Sequence, residues 1–163
     1  MTLQTSENTP ATLFKRLLGI CYDLFLLIAL LFTVGVIVAG VITFAINDGN
    51  AITESHPAYA VYRIFILILL FITAFLFYGW FWTHGGQTLG MRTWKLKLVS
   101  VDNNPVSWKQ ALIRYIGALI SWGVFGLGFL WVLFNKDQKT WHDMLSETKL
   151  IQLPKKSPKP LVF

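Results

Sequence analysis

LLGICYDLFLLIALLFTVGVIVAGVITFAI, residues 17 to 46, contains a single charged side chain, Asp23. A segment apolar around its whole circumference, rather than along one stripe, meets lipid or other apolar helices on every side. As one helix it would be about 45 Å long at ~1.5 Å per residue, against a hydrocarbon core of about 30 Å, so it tilts or continues beyond the bilayer. A polar leader, residues 1–15, precedes it without a small-residue cleavage signature, and the run is expected to remain in the mature protein. Gly35 and Ala39 form a small-xxx-small pair, read either as a close helix contact or as slender residues on a lipid-facing surface.

Downstream, Asn47 to Tyr62 carries Asp48, Glu54 and the turn residues Asn47-Asp48-Gly49-Asn50, with no Lys or Arg. A second run, Ile64 to Trp82, is uncharged and close to the ~20 residues one span needs. It ends in Tyr78, Trp80, Phe81 and Trp82, an aromatic cluster of the kind that settles at headgroup level. Residues 83–110 then hold Arg92, Lys95, Lys97 and Lys109 against Asp102 alone. Positive loops stay inside, so this loop is expected in the cytoplasm with Lys15, Arg16 and the N-terminus, and loop 47–62 outside. Partial alternation over Trp94 to Val101, followed by Asp102-Asn103-Asn104-Pro105, predicts a short strand and a turn.

The third apolar run, Ala111 to Phe134, is interrupted by Gly117, Gly123, Gly126 and Gly128 and carries Arg114. A single crossing would send six lysines, Lys136, Lys139, Lys149, Lys155, Lys156 and Lys159, to the outer side, against the charge rule. A bend over Ser121 to Gly128, making a re-entrant or bent pair of short helices, removes the conflict. Both readings stand at this point. Thr148 to Leu153, stopped by Pro154, reads as a strand that can pair with Trp94 to Val101 if both share a side. The basic Pro/Lys stretch 154–163 reads as a solvated tail.

The fold class expected is therefore an all-α membrane protein: two full transmembrane helices, a third Gly-rich segment that spans or bends back, and a small cytoplasmic β-pair. One membrane domain covers residues 16–153, with apolar segments at 17–46, 64–82 and 111–134. Composition agrees, because 163 residues that are 55% hydrophobic and 13% charged, with a mean hydropathy of +0.56, offer more apolar surface than a soluble domain of this size buries. The net charge of +6 lies beside the apolar runs. It points to topology and anionic lipid rather than to nucleic acid. Cys21 has no partner for a disulfide within the chain and reads as a small buried hydrophobe.

Asp23 is the most informative residue, since a carboxylate two turns inside an apolar run costs several kcal/mol unless paired, protonated or wetted. Arg16, seven positions earlier, falls on nearly the same helix face but two turns away; Arg114 is the other candidate partner. Asp23 is then either a proton or cation site or a buried clamp that fixes helix packing. Thr140 and Asp143 have capping-box spacing, so Asp143 is expected to cap a short helix running to Leu145. Arg16, Asp23, Arg114 and Asp143 are the polar or ion-site candidates. No catalytic residue, metal ligand set or cofactor is expected: His56, His84 and His142 are dispersed, and no Walker-type loop, G-x-S-x-G or H-E-x-x-H is present. Gly85-Gly86-Gln87-Thr88-Leu89-Gly90 reads as a turn out of the second span.

Taken in order, these segments resemble the RDD family of bacterial membrane proteins, named for one arginine and two aspartates. Phe14-Lys15-Arg16-Leu17-Leu18-Gly19-Ile20-Cys21-Tyr22-Asp23 is similar to the family's opening, with its arginine on Arg16 and first aspartate on Asp23. Gly86-Gln87-Thr88-Leu89-Gly90-Met91-Arg92 is similar to its central G-Q-T-x-G-K motif, with Met91 where lysine is customary. Thr140-Trp141-His142-Asp143-Met144-Leu145-Ser146-Glu147-Thr148 resembles the closing H-D motif, making Asp143 the second aspartate, with Glu147 where glycine is usual.

The resemblance implies a multi-pass protein of the bacterial cytoplasmic membrane with a poorly defined role in transport; some relatives are associated with sodium/proton exchange. Two spans enclose no pathway alone, so transport implies a homo-oligomer or another membrane-protein partner. The competing expectation is a non-transporting accessory or scaffold protein that binds a membrane protein or anionic lipid. An enzyme is not expected, because no nucleophile and base stand at a recognisable spacing.

Overall fold

The computed structural model describes residues 9–154; the first eight residues of the leader and residues 155–163 of the basic tail lie outside the described residues. The chain runs β1 (Thr9–Pro10), α1 (Leu13–Asn47), α2 (Tyr59–Thr83), α3 (Leu89–Thr93), β2 (Leu96–Ser100), α4 (Trp108–Gly123), α5 (Leu127–Leu130), a 3-10 turn (Trp131–Leu133), α6 (Trp141–Leu145) and β3 (Thr148–Gln152). Two helices, α1 and α2, are long and apolar enough to cross a membrane, and both overrun the apolar segments read from sequence. Their outer faces expose Phe25, Phe32, Phe44, Val61 and Phe65, as suits helices surrounded by lipid.

Asp48 closes α1 in a left-handed conformation, its amide bonded to the Thr43 carbonyl, and α2 returns against α1. Gly35 meets Leu70 of α2, so the close approach it permits is made within the chain. Cys21, by contrast, is exposed rather than buried. On a helix whose outer face meets lipid, a small apolar side chain needs no protein cover.

The third run is a bent pair. Helices α4 and α5 with its 3-10 extension meet at 108° across a short break. Phe125 and Gly126 both take positive φ there, and the Gly126 amide donates to the Ser121 carbonyl at 2.7 Å. Ser107 opens α4 with a full capping box to Gln110, and Tyr115 of α4 packs edge-on to Phe71 and at a tilt to Phe75 of α2.

The strands expected at Trp94 to Val101 and Thr148 to Leu153 form β2 and β3, paired antiparallel from Leu96↔Gln152 to Ser100↔Thr148. Between β2 and α4, Asn103 takes φ 62° in the turn and its amide donates to the Ser100 carbonyl. The two-residue β1 adds to the other edge of β3, where Pro10 needs no ladder donor. Leu96, Leu98 and Leu150 of this sheet, Trp82 of α2 and Ala111 of α4 form one buried core. The start of α1, the end of α2, the start of α4 and the sheet thus share one side of the molecule.

Candidate functional site

Asp143 is fully buried at the first turn of α6. Thr140 caps that turn in a reciprocal box: the Asp143 amide donates to Thr140 Oγ1, and Asp143 Oδ2 accepts from the Thr140 amide at 3.1 Å. The capping role read from spacing is therefore present, but the carboxylate does more. Arg16 Nη1 donates to Oδ2 at 2.6 Å and Arg114 Nη1 donates to Oδ1. Arg16 also donates through Nε to the Ala11 carbonyl and through Nη2 to the Gln138 carbonyl, while Arg114 Nη1 reaches Thr148 Oγ1 at 2.9 Å. The Arg114 guanidinium lies over the Trp82 ring, 5.4 Å from its centre.

Burial alone would raise the Asp143 carboxyl, yet the Arg114 and Arg16 guanidiniums outweigh it and hold the group far below the usual carboxylate range. Burial, reinforced by Arg114, pushes the neighbouring His142 imidazole down to about 3. His142 is therefore neutral, and the cluster holds two cations against one anion.

Asp23 lies elsewhere. Its side chain is 2% exposed, and it pairs with neither Arg16 nor Arg114. Thr88 Oγ1 donates to its Oδ2 at 2.5 Å and the Gly90 amide donates to its Oδ1 at 2.8 Å. Thr88 also accepts from the Met91 amide as the N-cap of α3, so the segment read as a simple turn carries a helix whose first turn Asp23 clamps. Gly90 fits because a Cβ there would collide with the Gly19 carbonyl oxygen and come within 3.0 Å of the Asp23 carboxylate. Geometry explains the outcome: both arginines turn to Asp143, whereas the chain emerging from α2 passes directly across Asp23.

The structure thus brings together Arg16, Arg114 and Asp143 and sets Asp23 apart with Thr88 and Gly90, residues not singled out for this role from sequence. The only prior signal was the Gly86-Gln87-Thr88-Leu89-Gly90 segment read as a unit. Arg16, Asp23, Arg114 and His142 all line a cavity of about 660 Å³ between α1, α2 and α4, otherwise mainly apolar. Among the described residues no group of three or more His, Cys, Asp or Glu side chains comes together to hold a metal ion.

The model of the RDD family matches residues 10–147, a stretch that includes both aspartates and both arginines of these clusters. The chain belongs to the RDD family. It is also similar to the "Uncharacterized protein YxaI" of Bacillus subtilis (strain 168), 28% identical over 86 residues, which is 52% of this chain. The match spans 56% of that relative's length. No solved structure matches. Family membership and two membrane-crossing helices identify an RDD-type membrane protein.

Proposed function

We infer that this RDD protein acts, without enzymatic chemistry, in the transport of ions or small solutes across a bacterial cytoplasmic membrane, with Asp23 as the group that takes up a proton or cation. One observation carries the reading: Asp23 is a buried acid on the cavity lining whose partners, a hydroxyl and an amide, are neutral. A carboxylate so placed gains when a proton or cation arrives, whereas Asp143 is already compensated by two guanidiniums. The orientation proposed puts the sheet and the N-terminus in the cytoplasm and loop 47–62 outside. It is supported by Lys15, Arg92, Lys95, Lys97, Lys109 and Lys149 on the sheet side, with Arg63 the exception at the hairpin end.

The test is reconstitution of the purified chain in vesicles loaded with a pH-sensitive dye. A sodium gradient is expected to drive proton flux, and Asp23→Asn to abolish it. Absent flux, or flux unchanged in the variant, rejects the reading.

A second reading has an observation of its own. The cavity draws on α1 only from Arg16 to Leu27 and on α2 only from Ala74 to Trp82, so it stops short of the hairpin end. Transport needs a second copy, or else the protein is an accessory or scaffold for another membrane protein. Purification in mild detergent separates these: a stable stoichiometric foreign partner favours the scaffold, and a homo-oligomer favours transport.

A further inference from the structure

The cavity is lined by polar atoms that no described residue satisfies. Trp82 is 6% exposed and its indole N–H, a donor only, has no partner among the described residues. His142, 3% exposed, also lines the cavity, and its Nδ1, a donor or an acceptor according to the tautomer, has no partner among the described residues. Arg114, which lines the same cavity, makes both of its hydrogen bonds among the described residues through Nη1. A buried donor without an acceptor, as at the Trp82 indole, is costly. An oxygen-rich group in the cavity would remove that cost.

The remaining walls are apolar. Helices α1 and α4 each pack against α2 and make little contact with each other, leaving a cleft between them. Its lining includes Leu24, Leu119 and Trp122, whose side chains are exposed, so the cleft is open on the face the spanning helices turn to the bilayer. Along α1 it runs from Arg16 to Leu27. That is about 16 Å at ~1.5 Å per residue, close to half of a ~30 Å hydrocarbon core. Its volume of about 660 Å³ lies within the usual range of ligand sites.

We propose that this cleft binds one anionic phospholipid from the surrounding leaflet, its phosphate on Arg114 and Trp82 and one acyl chain between α1 and α4. Arg16 and Arg114 share the single carboxylate of Asp143, which leaves an excess of positive charge at the arginine end. Asp23 is on the same lining but has both oxygens engaged by Thr88 and Gly90. The guanidinium and the indole N–H can therefore donate to phosphate oxygens, the charge-assisted pairing that arginine favours. The lipid site does not depend on proton uptake at Asp23.

The test is native mass spectrometry of the full chain in detergent, with phosphatidylglycerol and phosphatidylcholine as probes. One retained phosphatidylglycerol per chain is expected, with weaker retention of the zwitterionic lipid. Ala118→Trp, which fills the cleft from a wall position outside the ion pairs, is expected to abolish retention. Trp82→Phe keeps the ring under Arg114 but removes the N–H, and is expected to weaken retention about tenfold. It remains informative should the larger substitution unfold the protein. Equal retention of both lipids, or retention untouched by Trp82→Phe, overturns the proposal. Asp23→Asn separates the two readings, since it is expected to stop proton flux while the lipid stays bound.

Discussion

At Asp143 a single carboxylate answers two buried guanidiniums, one from the start of α1 and one from α4. Removing one partner of a buried pair leaves uncompensated charge, so Asp143→Asn is expected to destabilise by about 3–5 kcal/mol, read as a lowered melting temperature in detergent. Gly90→Ala forces a methyl group onto the Gly19 carbonyl and the Asp23 carboxylate and is expected to lose about 1–3 kcal/mol in the same assay. The acid limb has a definite sign. His142 is depressed to about 3 in the fold, so the unfolded chain binds a proton first as pH falls below its ordinary value near 6.5. Stability is expected to be flat above about pH 7 and to fall from about pH 6 downward, with His142→Gln removing the upper part of the fall. Asp143 is depressed as well, so its contribution persists until the pH drops below about 3.9 and is lost only in stronger acid.

Among the elements, the elbow between α4 and α5 is the one on which topology turns. Its glycine, Gly126, has φ 77°, a left-handed conformation that an L side chain adopts at a cost of roughly 1–2 kcal/mol. Gly126→Ala is expected to lower stability by about that amount without disturbing the sheet, as judged by unchanged circular dichroism and a reduced melting temperature. Glycine density and the tail's lysines made a bend one of two readings from sequence, and the 108° angle between α4 and α5 decides for it. The strands were readable, since alternation and the Asn-Pro turn are local signals. Helix ends were not: α4 begins at the Ser107 cap, before the apolar run, because capping and packing on α2 extend it.

For the whole molecule, the antiparallel pairing of β2 with β3 puts the loop after α2 and the chain beyond Leu145 on one side. Reporters fused before Met1 and after Phe163 are therefore expected on the same face of the membrane, and a reporter in loop 47–62 on the opposite one. Opposite faces for the two ends would contradict the bent pair. Apolar run length and turn residues were enough to specify a two-span hairpin, because each depends only on neighbours along the chain; whether the third segment spans or bends stayed open until the fold placed it.

Which charge meets which was decided in three dimensions. Arg16 finds its carboxylate 127 positions away, and Asp23 is held by donors 65 and 67 positions on. One of those donors is the Gly90 backbone amide, a group every residue but proline carries, so no residue type announces it. Helical phase pointed Asp23 toward arginine; the folded chain gave both arginines to Asp143 and left the buried acid in α1 with neutral partners, because the path from α2 into α3 crosses it first.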